Sequence, residues 1–275
     1  ALNALATLLE KQDAETALVH YQQAIQLLPH YLPTFVNLGN LQVQRKDWQA
    51  ATTTFRQILQ QDPNHIKAID GLLKICLQTA NWTDLAPLTE KLWQLGQNQI
   101  GTDITIYNTI FLPLTAMQQQ VLATNHAKAI ARTMAPLAQQ LDFQFSPNIR
   151  PASRSRIRLG YVSGDFREQA VAYAMLRLFE LHDRQTFEVF AYSLGPDDGS
   201  SYRKKFETDS DCFRQIDHLS TTAIAQQIYA DQIDILIDLE GYTQYCRSEL
   251  YALRPASLIV AYLGHPGTMG ADYID

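Results

Sequence analysis

At 275 residues, with 46% hydrophobic and 18% charged, the chain is long enough for two domains with real cores and too apolar to be disordered. Its formal net charge of −6 argues against a nucleic-acid binder, which would carry a basic face. No apolar run reaches the roughly 18 residues that a membrane span needs. Cys76, Cys212 and Cys246 are widely separated, give no metal-ligand spacing and fit a reducing, cytoplasmic compartment. The chain begins without Met inside a helical pattern and stops on a strand-like run, GADYID, so both ends are expected to be cut.

The first stretch repeats. Pro29 and Pro63 stand thirty-four residues apart, each closing a helix-like run, YQQAIQLLPH and FRQILQQDPNH. Between them Phe35, Leu38, Gly39, Trp48, Ala51, Phe55 and Ile58 follow the small/large pattern of a tetratricopeptide repeat. A small residue at each close crossing, here Gly39 and Ala51, lets helix pairs stack. Upstream, Ala17, Tyr21, Ala24 and Pro29 keep the phase. Downstream, Ile69, Leu72 and Trp82 keep it, while Leu85 and Thr89 replace the small and the aromatic residue. About two and a half repeats are expected over residues 1–97. Such an array either offers a concave surface to an extended polypeptide or is a helical stack and nothing more.

Residues 98–150 stay helical but leave the repeat. One long amphipathic helix after Pro113 carries His126, read as structural, and the stretch is expected to connect the array to the next domain. Ser146–Arg156, SPNIRPASRSR, is turn-rich and is the expected boundary.

From residue 151 to 275 strands and helices alternate. Strands are expected at Ile157–Ser163, Phe187–Leu194, Phe213–Ile216, Ile233–Leu239 and Leu258–Leu263. Helices are expected at Gln169–His182, at Thr221–Ala230 with Ser220 or Thr221 as cap, and briefly before Arg254-Pro255. GPDDGSSYRKKF reads as a polar loop with Arg203, Lys204 and Lys205 on a solvated face. Strands apolar on both faces and separated by helices make a Rossmann-like, doubly wound parallel sheet, so the fold class is helical repeats followed by α/β.

Three loops follow strand ends and should gather along one sheet edge: Gly164–Gln169, Gly241–Thr243 and Gly264–Thr268. Their glycines would let a ligand approach the backbone, and their N–H groups suit an anion. Asp165 is a candidate for catalysis or a plain turn residue. Tyr242 and Thr243 are candidates for ligand contact or turn residues, and His265 either contacts ligand or packs. Glu240 and Glu249 show no paired partner. The absence of G-x-G-x-x-G and of a P-loop argues against a nicotinamide or flavin dehydrogenase and a P-loop enzyme.

The repeat array followed in order by RLGYVSGDF, FEVFAYSLGPDDG, ILIDLEGYT, ELYALRPA and YLGHPGTMGADYID resembles the protein O-GlcNAc transferase / SPINDLY family of glycosyltransferases, over nearly the whole chain. The resemblance implies inverting, metal-independent transfer of a sugar from a nucleotide-sugar donor, UDP-GlcNAc or GDP-fucose, to Ser or Thr of a protein bound by the repeats. It implies no cofactor and no nucleic-acid or membrane partner, and leaves acceptor and oligomeric state open. It also implies two Rossmann-like lobes in the glycosyltransferase-B arrangement. This chain would supply the first, and a lobe beyond Asp275 would hold most of the nucleotide, with a lysine on the leaving diphosphate. Little catalysis is then expected of this chain alone.

By the same resemblance Asp165 matches the aspartate of an Asp-Phe-x-x-His loop, and Gln169 stands at the histidine, a proposed base or acceptor-positioning group. Glutamine cannot relay a proton. Gln169 is therefore open to three readings: natural divergence, an engineered change, or a non-catalytic homologue. Thr243 and Tyr242 match a loop near the donor sugar; Gly264, Pro266 and Gly267 match another, with His265 where the family often has an aromatic. The alternatives are an inactive repeat scaffold derived from such an enzyme, or a free-standing nucleotide-binding module fused to repeats.

Overall fold

The computed structural model describes residues 1–10, 12–145 and 154–275 and divides into two compact units, Ala1–Leu122 and Ala123–Asp275. Helices come first: α1 (Leu2–Leu9), α2 (Ala14–Leu27), α3 (Leu32–Gln44), α4 (Trp48–Gln61), α5 (Ile66–Thr79), α6 (Trp82–Gly96), the single turn α7 (Ile106–Thr109) and α8 (Ala116–Leu141). The division between units falls within α8. The boundary expected at Ser146–Arg156 lies for the most part on residues 146–153, outside the described residues.

In the first unit the thirty-four-residue period is written into the helix caps. Asp13, Asp47 and Asn81 start α2, α4 and α6, and each accepts the backbone N–H three residues on, from Thr16, Ala50 and Asp84. A side-chain oxygen there satisfies one of the N–H groups a helix start leaves open. The phase therefore carries through a third pair, α5 with α6, although Leu85 and Thr89 have replaced the expected residues; both are buried. Phe55 is fully buried at the centre of the stack. Gly39 on α3 faces its ring from one side, as expected, and Gly71 on α5, not expected, faces it from the other. Trp48 packs on this core, whereas Trp82, one period later, is 65% exposed.

The second unit alternates strand and helix: β1 (Ile157–Ser163), α9 (Ala170–Leu181), β2 (Phe187–Ser193), α10 (Ser201–Asp209), β3 (Cys212–Gln215), α11 (Thr221–Ala230), β4 (Ile235–Asp238), α12 (Ser248–Ala252) and β5 (Leu258–Ala261). The strands form one parallel sheet in the order β3-β2-β1-β4-β5. Alternate residues of a strand point to opposite faces. Leu159, Tyr161, Val189, Ala191 and Ile237 bury one face under Met175 and Phe179 of α9 and Phe206 of α10. Val162, Tyr192 and Leu236 bury the other, where the Tyr192 hydroxyl donates to Asp231 at the end of α11. Apolar burial on both faces is why these strands read as continuous hydrophobic runs.

One expectation fails here. The stretch read as a polar loop contains α10, started by Ser200, whose hydroxyl accepts from the Arg203 N–H at 3.1 Å. Its apolar side is only Tyr202 and Phe206, four residues apart, too little for a periodic signal. Arg203 is not on a solvated face. It is 4% exposed, its Nε donates to Glu207 at 2.6 Å, an Nη donates to Gln215 at 2.9 Å, and its guanidinium lies 4.3 Å from the Phe213 ring centre. Lys204 is exposed, and Lys205 is half-buried between Glu180 and Asp209.

Candidate active site

The winding of the sheet reverses at β1: the chain runs out through β2 to β3, then returns to place β4 on the other side of β1. At such a reversal the loops leaving neighbouring strands part and leave a crevice at their carboxyl ends. β1, β4 and β5 are neighbours in this order, so the three loops singled out in the sequence do meet along one edge.

Glu240, the second residue past β4, ties the first two loops together. It is 2% exposed. One carboxylate oxygen accepts the Ser163 hydroxyl at 2.9 Å and the Gly164 N–H at 2.5 Å, and the other accepts the Thr243 hydroxyl at 2.5 Å. A buried carboxylate needs such donors, because its charge has lost water. Beneath it Asp238, the last residue of β4, accepts the N–H groups of Glu240 and Gly241 at 2.9 and 3.1 Å and the Tyr251 hydroxyl at 2.8 Å. Burial pushes its carboxyl up to about 6. The sequence showed Glu240 without a partner because its partners on β1 lie more than seventy residues upstream. Glu249 is exposed on α12.

Asp165 sits at the mouth of the crevice. Its N–H donates to the Ser163 hydroxyl at 2.9 Å, and its side chain keeps 20% exposure. Burial raises its carboxyl above the ordinary range, the charge of Glu240 raises it further, and Arg167, 3.8 Å away, opposes both. A partly exposed carboxyl poised in this way is suited to taking up or passing on a proton. Arg167 escaped the sequence reading. Its Nε donates to the Gly164 carbonyl at 3.1 Å, and its guanidinium lies 5.4 Å from the Tyr245 ring centre. Gln169 caps α9 with an extended backbone, but its half-buried side chain makes no cap bond. The loop after β2 joins the edge as well, through Asp198, which accepts the Glu168 N–H at 2.8 Å.

The second and third loops pack through rings. Tyr242 is 6% exposed, and its hydroxyl donates to the Met269 carbonyl at 2.8 Å. His265 meets it edge-on at 5.5 Å between ring centres, and His126 of α8 does the same at 5.0 Å. Burial lowers the pKa of both histidines. Thr243 and Gly264 are half-buried, and Pro266 and Gly267 are exposed at the rim.

Three glycines of these loops stand where the loops touch one another. A Cβ at Gly164 would stand 2.5 Å from Tyr245, one at Gly195 would strike the Gly164 carbonyl, and one at Gly241 would strike His265. The missing Cβ at these three positions lets loop pack on loop. Among the described residues no three His, Cys, Asp or Glu side chains gather as a metal site would require, and no helix is long and apolar enough to cross a membrane.

Comparison with known proteins places these residues in a family. The profile of glycosyl transferase family 41 matches residues 79–275, and a tetratricopeptide-repeat profile matches residues 8–76. The chain is 31% identical over 202 residues to the probable UDP-N-acetylglucosamine–peptide N-acetylglucosaminyltransferase SEC of Arabidopsis thaliana, covering 70% of this chain and 20% of that protein. It is 29% identical over 201 residues to the UDP-N-acetylglucosamine–peptide N-acetylglucosaminyltransferase of Caenorhabditis elegans, covering 71% of this chain and 18% of that one. The chain thus spans about a fifth of the length of these relatives. In fold it is similar to a mutant O-GlcNAc transferase of Thermobaculum terrenum, with a TM-score of 0.69 at 22% identity, over 100% of this chain and 52% of that one.

Proposed function

This chain belongs to glycosyl transferase family 41, and from that membership and the loop geometry we propose that the protein carrying it moves N-acetylglucosamine from UDP-N-acetylglucosamine to Ser or Thr hydroxyls of polypeptides. The observation that carries the proposal is the position of Asp165. It is a carboxyl of raised pKa at the sheet reversal, on a loop held in place by buried Glu240, inside the stretch that the family profile matches.

In this reading the acceptor hydroxyl attacks the anomeric carbon, the bond to the diphosphate breaks with its electron pair leaving on the diphosphate, and the hydroxyl proton departs toward Asp165. Gln169 can donate and accept hydrogen bonds but cannot relay that proton, so it positions the acceptor. Thr243, Gly264, Pro266 and Gly267 border the donor sugar, with Tyr242 and His265 as the packed support behind them. The groups that hold the diphosphate belong to protein outside this chain. The repeat array holds the acceptor polypeptide. Asn37, whose amide donates to Asn3 one period earlier at 3.1 Å, lines a cavity of about 370 Å³ there and offers backbone-binding amides.

The test uses the full-length protein, UDP-N-acetylglucosamine and polypeptide acceptors, with the sugar mass on Ser or Thr as readout. Asp165→Asn should lower turnover by about a hundred-fold; unchanged turnover would remove Asp165 from the mechanism. Gln169 favours a second reading, an inactive scaffold. No turnover by the full-length protein, and none restored by Gln169→His, would establish it.

A further inference from the structure

Trp82 is the repeat residue that the fold does not use. It stands one period after Trp48 and, like it, opens the second helix of its pair. Trp48 is half-buried against the stack; Trp82 is 65% exposed, and Phe111, in the turn after α7, is 53% exposed. Both line a cavity of about 480 Å³ in the first unit. Its walls follow from helix spacing. Lys74, Leu77 and Gln78 share one face of α5, and Tyr107 meets Phe111 edge-on at 5.5 Å. Exposed large rings gathered around a cavity mark an interaction site far better than scattered ones do.

The polar part of the lining offers donors and no carboxylate. Lys74 is exposed and forms no ion pair among the described residues. The carboxylate one turn before it, Asp70, is already engaged by the N–H and hydroxyl of Thr105 at 3.1 and 2.6 Å. The side-chain nitrogen of Asn108 is buried and makes no hydrogen bond, a costly state that turning toward an acceptor in the cavity would end. One ammonium and the amides of Gln78 and Asn108 suit a single carboxylate. They are too few for a diphosphate, which asks for a cradle of N–H groups and cations.

We propose that this cavity binds an extended polypeptide segment in which a large apolar side chain is followed directly by an aspartate or glutamate. The apolar side chain lies against Trp82, Phe111 and Leu77, and the carboxylate pairs with Lys74 and the Asn108 amide. A repeat array presents such a segment along its helices by shape and a few anchors. The inference stands on the repeat unit and does not require the transferase reading.

The experiment is binding of three fluorescein-labelled peptides to the 275-residue chain, without donor sugar: GSGFDGSG, GSGFNGSG and GSGADGSG. The first should bind about ten-fold tighter than either of the others. Trp82→Ala should abolish the preference for Phe over Ala, and Lys74→Gln the preference for Asp over Asn while leaving that for Phe. Both side chains are exposed, so the helical circular dichroism should not change. Equal affinity for the three peptides, or variants that keep both preferences, would overturn the proposal. So would binding that follows Phe and ignores Asp, since that marks an apolar face covered by another part of the protein. Any of these failures leaves the transferase reading, judged by turnover of the full-length protein, where it stood.

Discussion

Gly71→Ala isolates the packing that lets the repeats stack. Gly71 lies inside α5, where alanine should favour the helix by about 1 kcal/mol. The structure sets a larger cost against this gain. A Cβ at Gly71 would stand 2.6 Å from Phe55 Cε2, with Cζ closer still. The ring cannot retreat, because a Cβ position at Gly39 on its far side is only 2.7 Å from the same Cζ. Overpacking of a closed core costs about 1–3 kcal/mol, and a ring held on both sides should fall at the upper end. We therefore expect Gly71→Ala to destabilise the stack by about 1–2 kcal/mol net.

Gly39→Ala with Gly71→Ala should exceed the sum of the single changes by about 0.5 kcal/mol or more, because both act on one ring. In a Phe55→Leu background the clash is gone, and Gly71→Ala should become neutral or stabilising. Native-state hydrogen exchange of the amides in α3 to α5 is the assay, because a chain of two units need not unfold in one step. If Gly71→Ala stabilises the wild-type chain as much as it does the Phe55→Leu chain, the steric argument is wrong.

The carboxylates at the sheet edge make two further predictions. Burial raises Asp238 from 3.8 to about 6, so the folded chain binds its proton more tightly than the unfolded chain does. Its contribution to stability is full below about pH 4 and is lost as pH rises through 6, a swing of about 3 kcal/mol. Asp238→Asn should flatten the unfolding free energy of the second unit between pH 4 and 7 relative to wild type; parallel curves would contradict this. Glu240→Gln replaces an acceptor by a donor between Gly164 and Thr243, and should cost about 1–3 kcal/mol and speed amide exchange at Gly164. Unchanged exchange there would show that the two loops are held by other means. Arg203→Met removes a buried guanidinium with its bonds to Glu207 and Gln215, and should lower denaturant stability by about 2–3 kcal/mol. A truly solvated arginine would change it by less than about 0.5 kcal/mol.

Much of the fold could be read in advance, and the reasons are local. β1 matched its expected span and α11 did too, because a mostly apolar run ending in a polar turn and a serine cap are signals contained in a few neighbouring residues. The thirty-four-residue period likewise needs only one chain laid against itself. α10 escaped because its one buried face comprises Arg203 and Phe206, and a buried arginine looks like a surface residue until Phe213 and Gln215 arrive from β3. Gly71 was missed because it stands thirty-two residues after Gly39 and so falls outside the thirty-four-residue phase, where Leu73 takes the corresponding place.

The sheet edge divides in the same way. That three loops would meet, and that Asp165 would stand among them, followed from the carboxyl-end rule applied to the expected strands. That Glu240 joins the first two loops, and that Gly164, Gly195 and Gly241 let loop pack on loop, followed only from folding, since each depends on residues tens of positions apart. Periodicity, caps and turn residues act over one or two helical turns, so the amino-acid order alone determined the repeats, the strands and the loops that carry the site. Which side chains stand face to face across those loops, and so which carboxyl is held rigid and which is left poised, was decided by the tertiary structure, because Coulomb forces, desolvation and steric fit act through space and not along the chain.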